Sequence, residues 1–169
     1  GYGEDGEDSH RTAFDVLAWW ARSGLMDVVR PSDNSSPGSI PIGMGDQPSG
    51  VALFASIMTA LYRREKTGKG GEVYTSLMAN GAWSNGSYIQ AGLFNADFPD
   101  RQIEAPLHPF GGRYKTKDGR FLLLAIIDAA KEWPKFLKAM NLEYLNEDEK
   151  FSRFKNLNSN FRDLYKILE

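Results

Sequence analysis

Residues 30–50, RPSDNSSPGSIPIGMGDQPSG, contain so much proline, glycine, serine and asparagine that neither a helix nor a strand can run through them. Apolar residues that begin with Val51 and Phe54 then recur at steps of three and four, which predicts a helix from about Pro48 to Glu65. Pro48 suits the first turn of a helix. The chain must therefore carry a long loop that leads directly into a long helix, and a loop of this length in a compact domain is often functional.

One carboxylate, that of Asp46, stands among glycines at the end of this loop. Aspartate is a common helix N-cap, so the first interpretation is that Asp46 caps the helix. A second interpretation is chemical, because the amino end of a helix stabilises a negative carboxylate, and Gly43 and Gly45 leave room for a bulky substrate. A carboxylate can then attack an activated electrophile such as an acyl thioester. The residues alone leave both interpretations open.

The composition narrows the classes of partner. The chain has 169 residues, 41% of them hydrophobic and 25% charged, which is ordinary for one globular domain. A net charge of −2 gives no field that attracts nucleic acid or an anionic membrane, and no apolar run is long enough to cross one. With no cysteine, and with His10 and His108 far apart, the sequence offers neither a thiolate nor a histidine metal site. We expect no metal, no nucleic acid, no membrane partner and a cytoplasmic location.

The rest of the first hundred residues is predicted to be mainly helical. Asp8 or Ser9 can cap a helix that runs to Ser23 and carries Phe14 on its apolar face. The segment VYTSL, residues 73–77, is a candidate strand, and a further helix is predicted next, over residues 77–94. Aromatic residues at helical spacing are usually core residues. Four aromatic residues are therefore expected in the core: Trp19, Trp20, Trp83 and Tyr88.

A boundary is predicted between residues 97 and 109, where a proline-bearing loop interrupts the pattern. Beyond it, the sequence Lys-Asp-Gly at 117–119 stands between two strand-like runs, which predicts an antiparallel hairpin over about 111–127. Residues 129–140 have the spacing of an amphipathic helix, with Asp128 as its cap, and two short helices follow. Because the chain begins with glycine and ends inside a predicted helix, we expect a segment of a longer protein.

Five blocks, taken in order, resemble the family III CoA-transferases of the formyl-CoA and carnitine CoA-transferase type. They are GYGEDGE, AFDVLAWWARSGLM, GMGDQPSGVALFASIMTALYRREKTGKGGEV, SLMANGAW and GGRYKTKDGRFLLLAI. The resemblance is greatest to the branch that acts on 2-hydroxyacyl-CoA in amino-acid fermentation. It implies an α+β segment of an α/β protein. Residues 1–100 would then be the helix-rich part of the large domain with its linker, and residues 101–169 would be part of a small domain with an antiparallel hairpin and helices.

The resemblance also implies a mechanism. Asp46 matches the family's covalent nucleophile, which takes an acyl group from acyl-CoA and passes the CoA to a small carboxylic acid, with CoA as substrate and no cofactor. Phe14 and Gly45 are expected beside it as substrate-binding residues. Where the formyl-CoA branch has a glycine run, this chain reads PLHP over 106–109, so His108 is either a further substrate contact or an ordinary loop histidine. Family members form interlocked dimers, which implies a homodimer for the full-length protein.

Two alternatives remain beside the transferase. The 2-methylacyl-CoA racemases resemble the chain at Asp46, but they place a His-Asp dipeptide where this chain has Phe14 and Asp15. Because a phenyl ring cannot exchange a proton, a two-base racemase would lack one partner. The other alternative is a non-catalytic helical assembly module, in which Asp46 is merely a cap.

Overall fold

The structure, a computed structural model, describes residues 1–98, 101 and 109–169. The chain divides into two compact units, Gly1–Arg101 and Gln102–Glu169. In their described parts, the first unit contains only helices as regular elements, and the second combines helices with a two-stranded antiparallel sheet. This confirms the predicted fold class. The assignment of the chain's two parts to a large and a small family domain stays a prediction.

The described part of the first unit contains a π-helix and four α-helices. The π-helix spans Val16–Ala21, and the α-helices are α1 (Leu25–Val28), α2 (Asp46–Thr67), α3 (Leu77–Ser84) and α4 (Gly86–Leu93). Helix α2 confirms the helix predicted after the long loop and is slightly longer than expected. It ends at Gly68, whose φ of 68° is the left-handed conformation that glycine adopts most easily.

Close backbone contact between the π-helix and α3 organises the first unit. A Cβ atom at Gly81 of α3 would collide with the carbonyl oxygen of Trp19 and would lie 2.7 Å from the Cβ of Ser23. Asn85, between α3 and α4, is buried and donates a side-chain hydrogen bond of 2.9 Å to the carbonyl of Ser23. A glycine that disfavours a helix by propensity is thus the residue that lets α3 touch its neighbour.

The predicted start of the first helix is wrong. Residues 9–13 form turns and irregular backbone, and the helical backbone begins only after Asp15. Both predicted caps are engaged elsewhere: the hydroxyl of Ser9 donates a hydrogen bond of 2.9 Å to a preceding backbone carbonyl, and the carboxylate of Asp8 forms ion pairs of 2.9 and 2.7 Å with two arginines. A carboxylate held by two guanidinium groups is not available to cap a helix.

Two further predictions for this unit need correction. The segment 73–77 forms no strand: residues 73–76 lie outside regular structure and Leu77 begins α3, since the described part of the unit contains no strand for it to pair with. Trp83 and Tyr88 are not core residues, because they are 83% and 51% exposed. The core prediction is confirmed for the other two aromatic residues, Trp19 and Trp20, which stack with ring centroids 6.3 Å apart.

The second unit is built on the predicted hairpin. Strand β1 (Arg113–Lys115) pairs antiparallel with β2 (Phe121–Leu123), so that Tyr114 lies opposite Leu122. Gly119 adopts a φ of 84° in the connecting turn, as the Asp-Gly signal predicts. Burial raises the pKa of Tyr114 to about 12.

Helix α5 (Ala129–Met140) has the predicted bounds and the predicted cap. The carboxylate of Asp128 accepts a hydrogen bond of 3.2 Å from the backbone N–H of Lys131. The two predicted terminal helices are α6 (Phe154–Ser159) and α7 (Phe161–Leu168), and short 3₁₀ turns lie at Pro109–Gly111 and Glu143–Asn146.

A buried cluster joins the helices of the second unit. Its members are Phe110, Ala129, Trp133, Leu137, Leu145, Phe151, Leu157 and Leu164. Phe110 packs edge-on against Trp133, with ring centroids 5.5 Å apart, which is a favourable aromatic geometry. The cluster draws on α5, α6 and α7, so each of these helices is stabilised by burial of apolar side chains.

Candidate active site

Asp46 is the first residue of α2, and its side chain is exposed. The N-cap of the helix is Gly45, and no side chain caps the first turn. Within residues 1–98, 101 and 109–169, the Asp46 carboxylate accepts no hydrogen bond and forms no ion pair. Asp46 therefore does not cap α2. Its carboxylate faces solvent at the positive end of a 22-residue helix, where negative charge is stabilised.

The backbone immediately before Asp46 is held tightly. Gly45 is buried, and a Cβ atom there would lie 2.6 Å from Cγ and 2.8 Å from Cδ2 of Trp19. The missing side chain of Gly45 therefore makes room for the indole ring. Whether Gly45 also contacts substrate stays a prediction.

Asp15 connects the π-helix to this turn, and sequence reasoning missed it. Its side chain is only 4% exposed. One carboxylate oxygen accepts the backbone N–H of Val16 at 2.8 Å, and the other accepts the backbone N–H of Gly45 at 3.1 Å. The N-cap preference of aspartate could have identified the first of these bonds. No local signal could have identified the second, because it joins residues 30 positions apart.

The structure brings the Phe14 segment and the Asp46 segment together, since Asp15 follows Phe14 and Gly45 precedes Asp46. Phe14 itself is 64% exposed and therefore available to a ligand. Its role as a substrate-binding wall stays a prediction. His108 lies outside the described residues.

A group of charged residues ties Arg101 to the first unit. The guanidinium of Arg101 donates hydrogen bonds to the backbone carbonyl of Asp27 at 2.6 Å and to its carboxylate at 2.9 Å, and its backbone N–H donates to Asp33 at 3.2 Å. The hydrogen bond from Arg101 lowers the pKa of Asp27. Among residues 1–98, 101 and 109–169, no cluster of acidic and histidine side chains could hold a metal ion, and each helix is too short or too polar to span a bilayer.

Compared with known protein families, the chain matches CoA-transferase family III over residues 1–169. The chain belongs to this family. One relative, (R)-2-hydroxy-4-methylpentanoate CoA-transferase of Clostridioides difficile, is 34% identical over 99% of the chain and 42% of the relative. Cinnamoyl-CoA:phenyllactate CoA-transferase of Clostridium sporogenes is 32% identical over 100% of the chain and 42% of the relative.

The fold agrees with that of solved proteins. A CAIB/BAIF family protein from Brucella suis superposes with a TM-score of 0.78 at 22% identity, covering 100% of this chain and 44% of that protein. The chain thus spans about two fifths of the length of the curated relatives that it matches. The match to the family over residues 1–169 confirms the resemblance that the sequence blocks indicated.

Proposed function

We propose that the protein containing this chain transfers CoA from an acyl-CoA thioester to a free carboxylic acid, with Asp46 as the covalent nucleophile. The observation that carries the proposal is the state of the Asp46 carboxylate, which is exposed and has no partner among the described residues. Family membership supports the reaction class. A carboxylate is sufficient to begin this reaction because a thioester is an activated electrophile.

In the first half of the proposed reaction, an oxygen of Asp46 attacks the thioester carbonyl carbon. The carbon–sulfur bond breaks, CoA leaves as a thiolate, and a mixed anhydride joins Asp46 to the acyl group. The thiolate then attacks the aspartyl carbonyl of this anhydride. That step releases the donor acid as a carboxylate and leaves an aspartyl-CoA thioester, so one difficult transfer is divided into easier steps.

In the second half, the acceptor carboxylate attacks the aspartyl thioester, displaces the thiolate and forms a second anhydride. The thiolate attacks the acceptor carbonyl, which yields the new acyl-CoA and restores the Asp46 carboxylate. No net proton or electron is consumed, so we propose that CoA is a substrate and that neither a metal nor a redox cofactor takes part. Full activity after dialysis against EDTA would support this, and loss restored by a metal would contradict it.

The proposed acceptor is a 2-hydroxy acid of the kind formed when amino acids are fermented. Support comes from the relatives, one named for 2-hydroxy-4-methylpentanoate and one for phenyllactate. A site that hydrogen-bonds the hydroxyl group should discriminate strongly against the acid that lacks it, by about 10⁴-fold at best. Paired acids with and without the 2-hydroxyl, assayed at equal concentration, test this.

The alternative of a racemase of the same fold predicts a different result. It needs a second proton-exchanging group, and Phe14 stands where that histidine would be expected. Incubation of a 2-methylacyl-CoA with the full-length protein in D₂O should therefore leave the C2 proton in place. Deuterium at C2 would favour the racemase.

The decisive test of the nucleophile is chemical. Full-length protein treated with acyl-CoA and then hydroxylamine should carry a modified Asp46, seen as a mass shift of the peptide that contains Ile42–Arg63. Asp46→Asn should lose both the label and CoA transfer, because an amide cannot form the anhydride. An active Asp46→Asn enzyme, or a wild-type enzyme without the label, would reject Asp46 as nucleophile and leave the assembly module as the better interpretation.

We further propose that the full-length protein is a cytoplasmic homodimer. The exposed apolar side chains of α2, among them Val51, Phe54 and Tyr62, support an interface because a soluble monomer rarely exposes so much apolar surface on one helix. The absence of cysteine fits a reducing compartment. Light scattering of the full-length protein and cell fractionation test the two statements.

A further inference from the structure

We propose that Asp15 is a positioning residue for Asp46: its buried carboxylate fixes the peptide that precedes the nucleophile. The proposal rests on the function proposed above for Asp46. It assigns a role to a buried acidic side chain that the transfer reaction itself does not use.

Burial of this carboxylate is costly unless it is compensated. Asp15 is 4% exposed, and none of the described residues forms an ion pair with it. A buried charge is unfavourable unless hydrogen bonds compensate it, and here two backbone N–H groups do so, at 2.8 and 3.1 Å. The geometry thus directs both oxygens at specific backbone atoms.

The two carboxylate oxygens of Asp15 bind different parts of the chain. The bond to Val16 caps the π-helix, and many residue types could supply it. The bond to Gly45 is different, because it joins residues 30 positions apart. Its donor is the backbone N–H of Gly45, the residue that precedes Asp46. A hydroxyl can replace the first bond but offers no second oxygen for the other.

Gly45 is held on two sides by one element. Its backbone N–H is bound by Asp15, which caps the π-helix, and the position that a Cβ of Gly45 would take is occupied by the side chain of Trp19 within that same helix. The backbone of Asp46 is therefore fixed relative to the π-helix, while its side chain remains exposed. π-helical segments are frequent at functional sites.

A fixed backbone matters for the proposed chemistry because Asp46 must attack a carbonyl and then accept attack at its own. Reacting atoms must approach to about 3–3.5 Å, and a misplacement of about 1 Å can lower the rate by about 10²-fold. Loss of the Gly45 bond should therefore lower kcat while leaving KM for acyl-CoA within a few-fold.

The test compares three variants of the full-length enzyme. Asp15→Ser retains an oxygen that can cap Val16 but loses the second acceptor, so kcat should fall by about 10–100-fold with KM nearly unchanged. Asp15→Asn retains one amide oxygen that can accept from Gly45, while its amide nitrogen is a donor and cannot replace the bond to Val16, so kcat should recover to within about tenfold of wild type although the π-helix loses its cap. Asp8→Ser is the matched control, because it removes a carboxylate of the same segment that binds Arg11 and Arg22 instead of Gly45.

A second readout separates this proposal from the proposed function. The rate at which acyl-CoA labels Asp46 should fall in Asp15→Ser in parallel with kcat. If wild-type Asp46 is labelled and Asp15→Ser is labelled at the same rate, the positioning role is wrong and the nucleophile stands. Equal losses in Asp15→Ser and Asp8→Ser, or no recovery in Asp15→Asn, would likewise overturn it. If wild-type Asp46 is not labelled at all, the proposed function fails first.

Discussion

Helix α2 of the first unit and helix α5 of the second both carry many apolar residues, but they bury them very differently. Helix α5 places Trp133 and Leu137 in the cluster that joins the second unit. Of the 22 residues of α2, only Ser49 is buried, whereas Val51 and Phe54 are 68% and 64% exposed. The first unit is organised instead around the π-helix, by its buried Trp19 and Trp20 and by backbone contacts and hydrogen bonds.

The difference in burial between α2 and α5 reflects the different roles of the two units. Burial of apolar side chains is the main stabilising term of a small domain, and the second unit has such a core. The first unit holds a candidate nucleophile on α2. The apolar residues of this helix are typical of a surface that another protein segment covers. Equivalent substitutions in the two units should therefore have different consequences.

The largest expected difference concerns the two aspartates at helix amino ends. In the full-length enzyme, Asp46→Ala should lower CoA transfer by about 10³-fold or more, as removal of a nucleophile does. Its free energy of unfolding should change by no more than about 0.5 kcal/mol, because the exposed side chain forms no hydrogen bond and no ion pair within the described residues. Transfer assays and urea unfolding measure the two quantities.

Asp128 provides the opposite case, since it caps α5 through Lys131. Asp128→Ala should lower the free energy of unfolding by about 1 kcal/mol and leave CoA transfer unchanged. If Asp46→Ala proved the more destabilising of the two, Asp46 would be structural and the comparison would fail.

The next largest effect concerns leucines of α5 and α2. Leu137 is fully buried, so Leu137→Ala in the 169-residue chain should cost about 2–5 kcal/mol. Leu61 of α2 is 37% exposed, so the same substitution there should cost much less. Hydrogen exchange read by mass spectrometry resolves the unit that each change destabilises. A cost of 2 kcal/mol or more at Leu61, growing with protein concentration, would mean that α2 is covered by a second copy in solution.

Smaller effects on stability are expected for two glycines of the first unit, and the two effects should have opposite signs. Gly81→Ala should destabilise by about 1–3 kcal/mol, because the new Cβ meets the backbone of Trp19. Gly92→Ala in α4 should stabilise by up to about 1 kcal/mol, since nothing lies within 4 Å of its Cβ position. Thermal unfolding of both variants tests this, and equal shifts would show that α3 does not pack as described.

The elements predicted correctly from sequence carry local signals. Helix α2 follows from apolar periodicity, the hairpin from the Asp-Gly turn, and α5 from periodicity with Asp128 as its cap. These signals act within a few residues of one another, so they can be recognised before any tertiary contact is known. Sequence reasoning placed Asp46 just before this helix, as its cap or as a nucleophile, and did not predict that Asp46 is the first residue of α2 with an exposed side chain.

The parts that could not be predicted depend on distant residues. The bond from Asp15 to Gly45 and the contact of Gly81 with Trp19 bring together segments that sequence spacing does not relate. The exposure of Trp83 shows the same limit, because helical spacing indicates that a face is apolar but not which surface covers it.

The smallest expected effect concerns one exposed ion pair in each unit. Arg101 lowers the pKa of Asp27 in the first unit, and Lys150, whose Nζ donates to Asp163 at 2.9 Å, lowers the pKa of Asp163 in the second. Because each carboxylate has a lower pKa when folded than its ordinary value of 3.8, each pair stabilises its unit above that pH. The stabilisation is lost as the pH falls below 3.8 and through the folded-state pKa. In an NMR titration, Lys150→Met should return the pKa of Asp163 towards 3.8 and leave that of Asp27 low. Arg101→Met should leave the pKa of Asp163 low and raise that of Asp27 only in part, because Arg30 still lies 2.6 Å from the Asp27 carboxylate. Exposed ion pairs often contribute nothing measurable to stability. If the pKa of Asp163 did not change in Lys150→Met, this pair would not persist in solution.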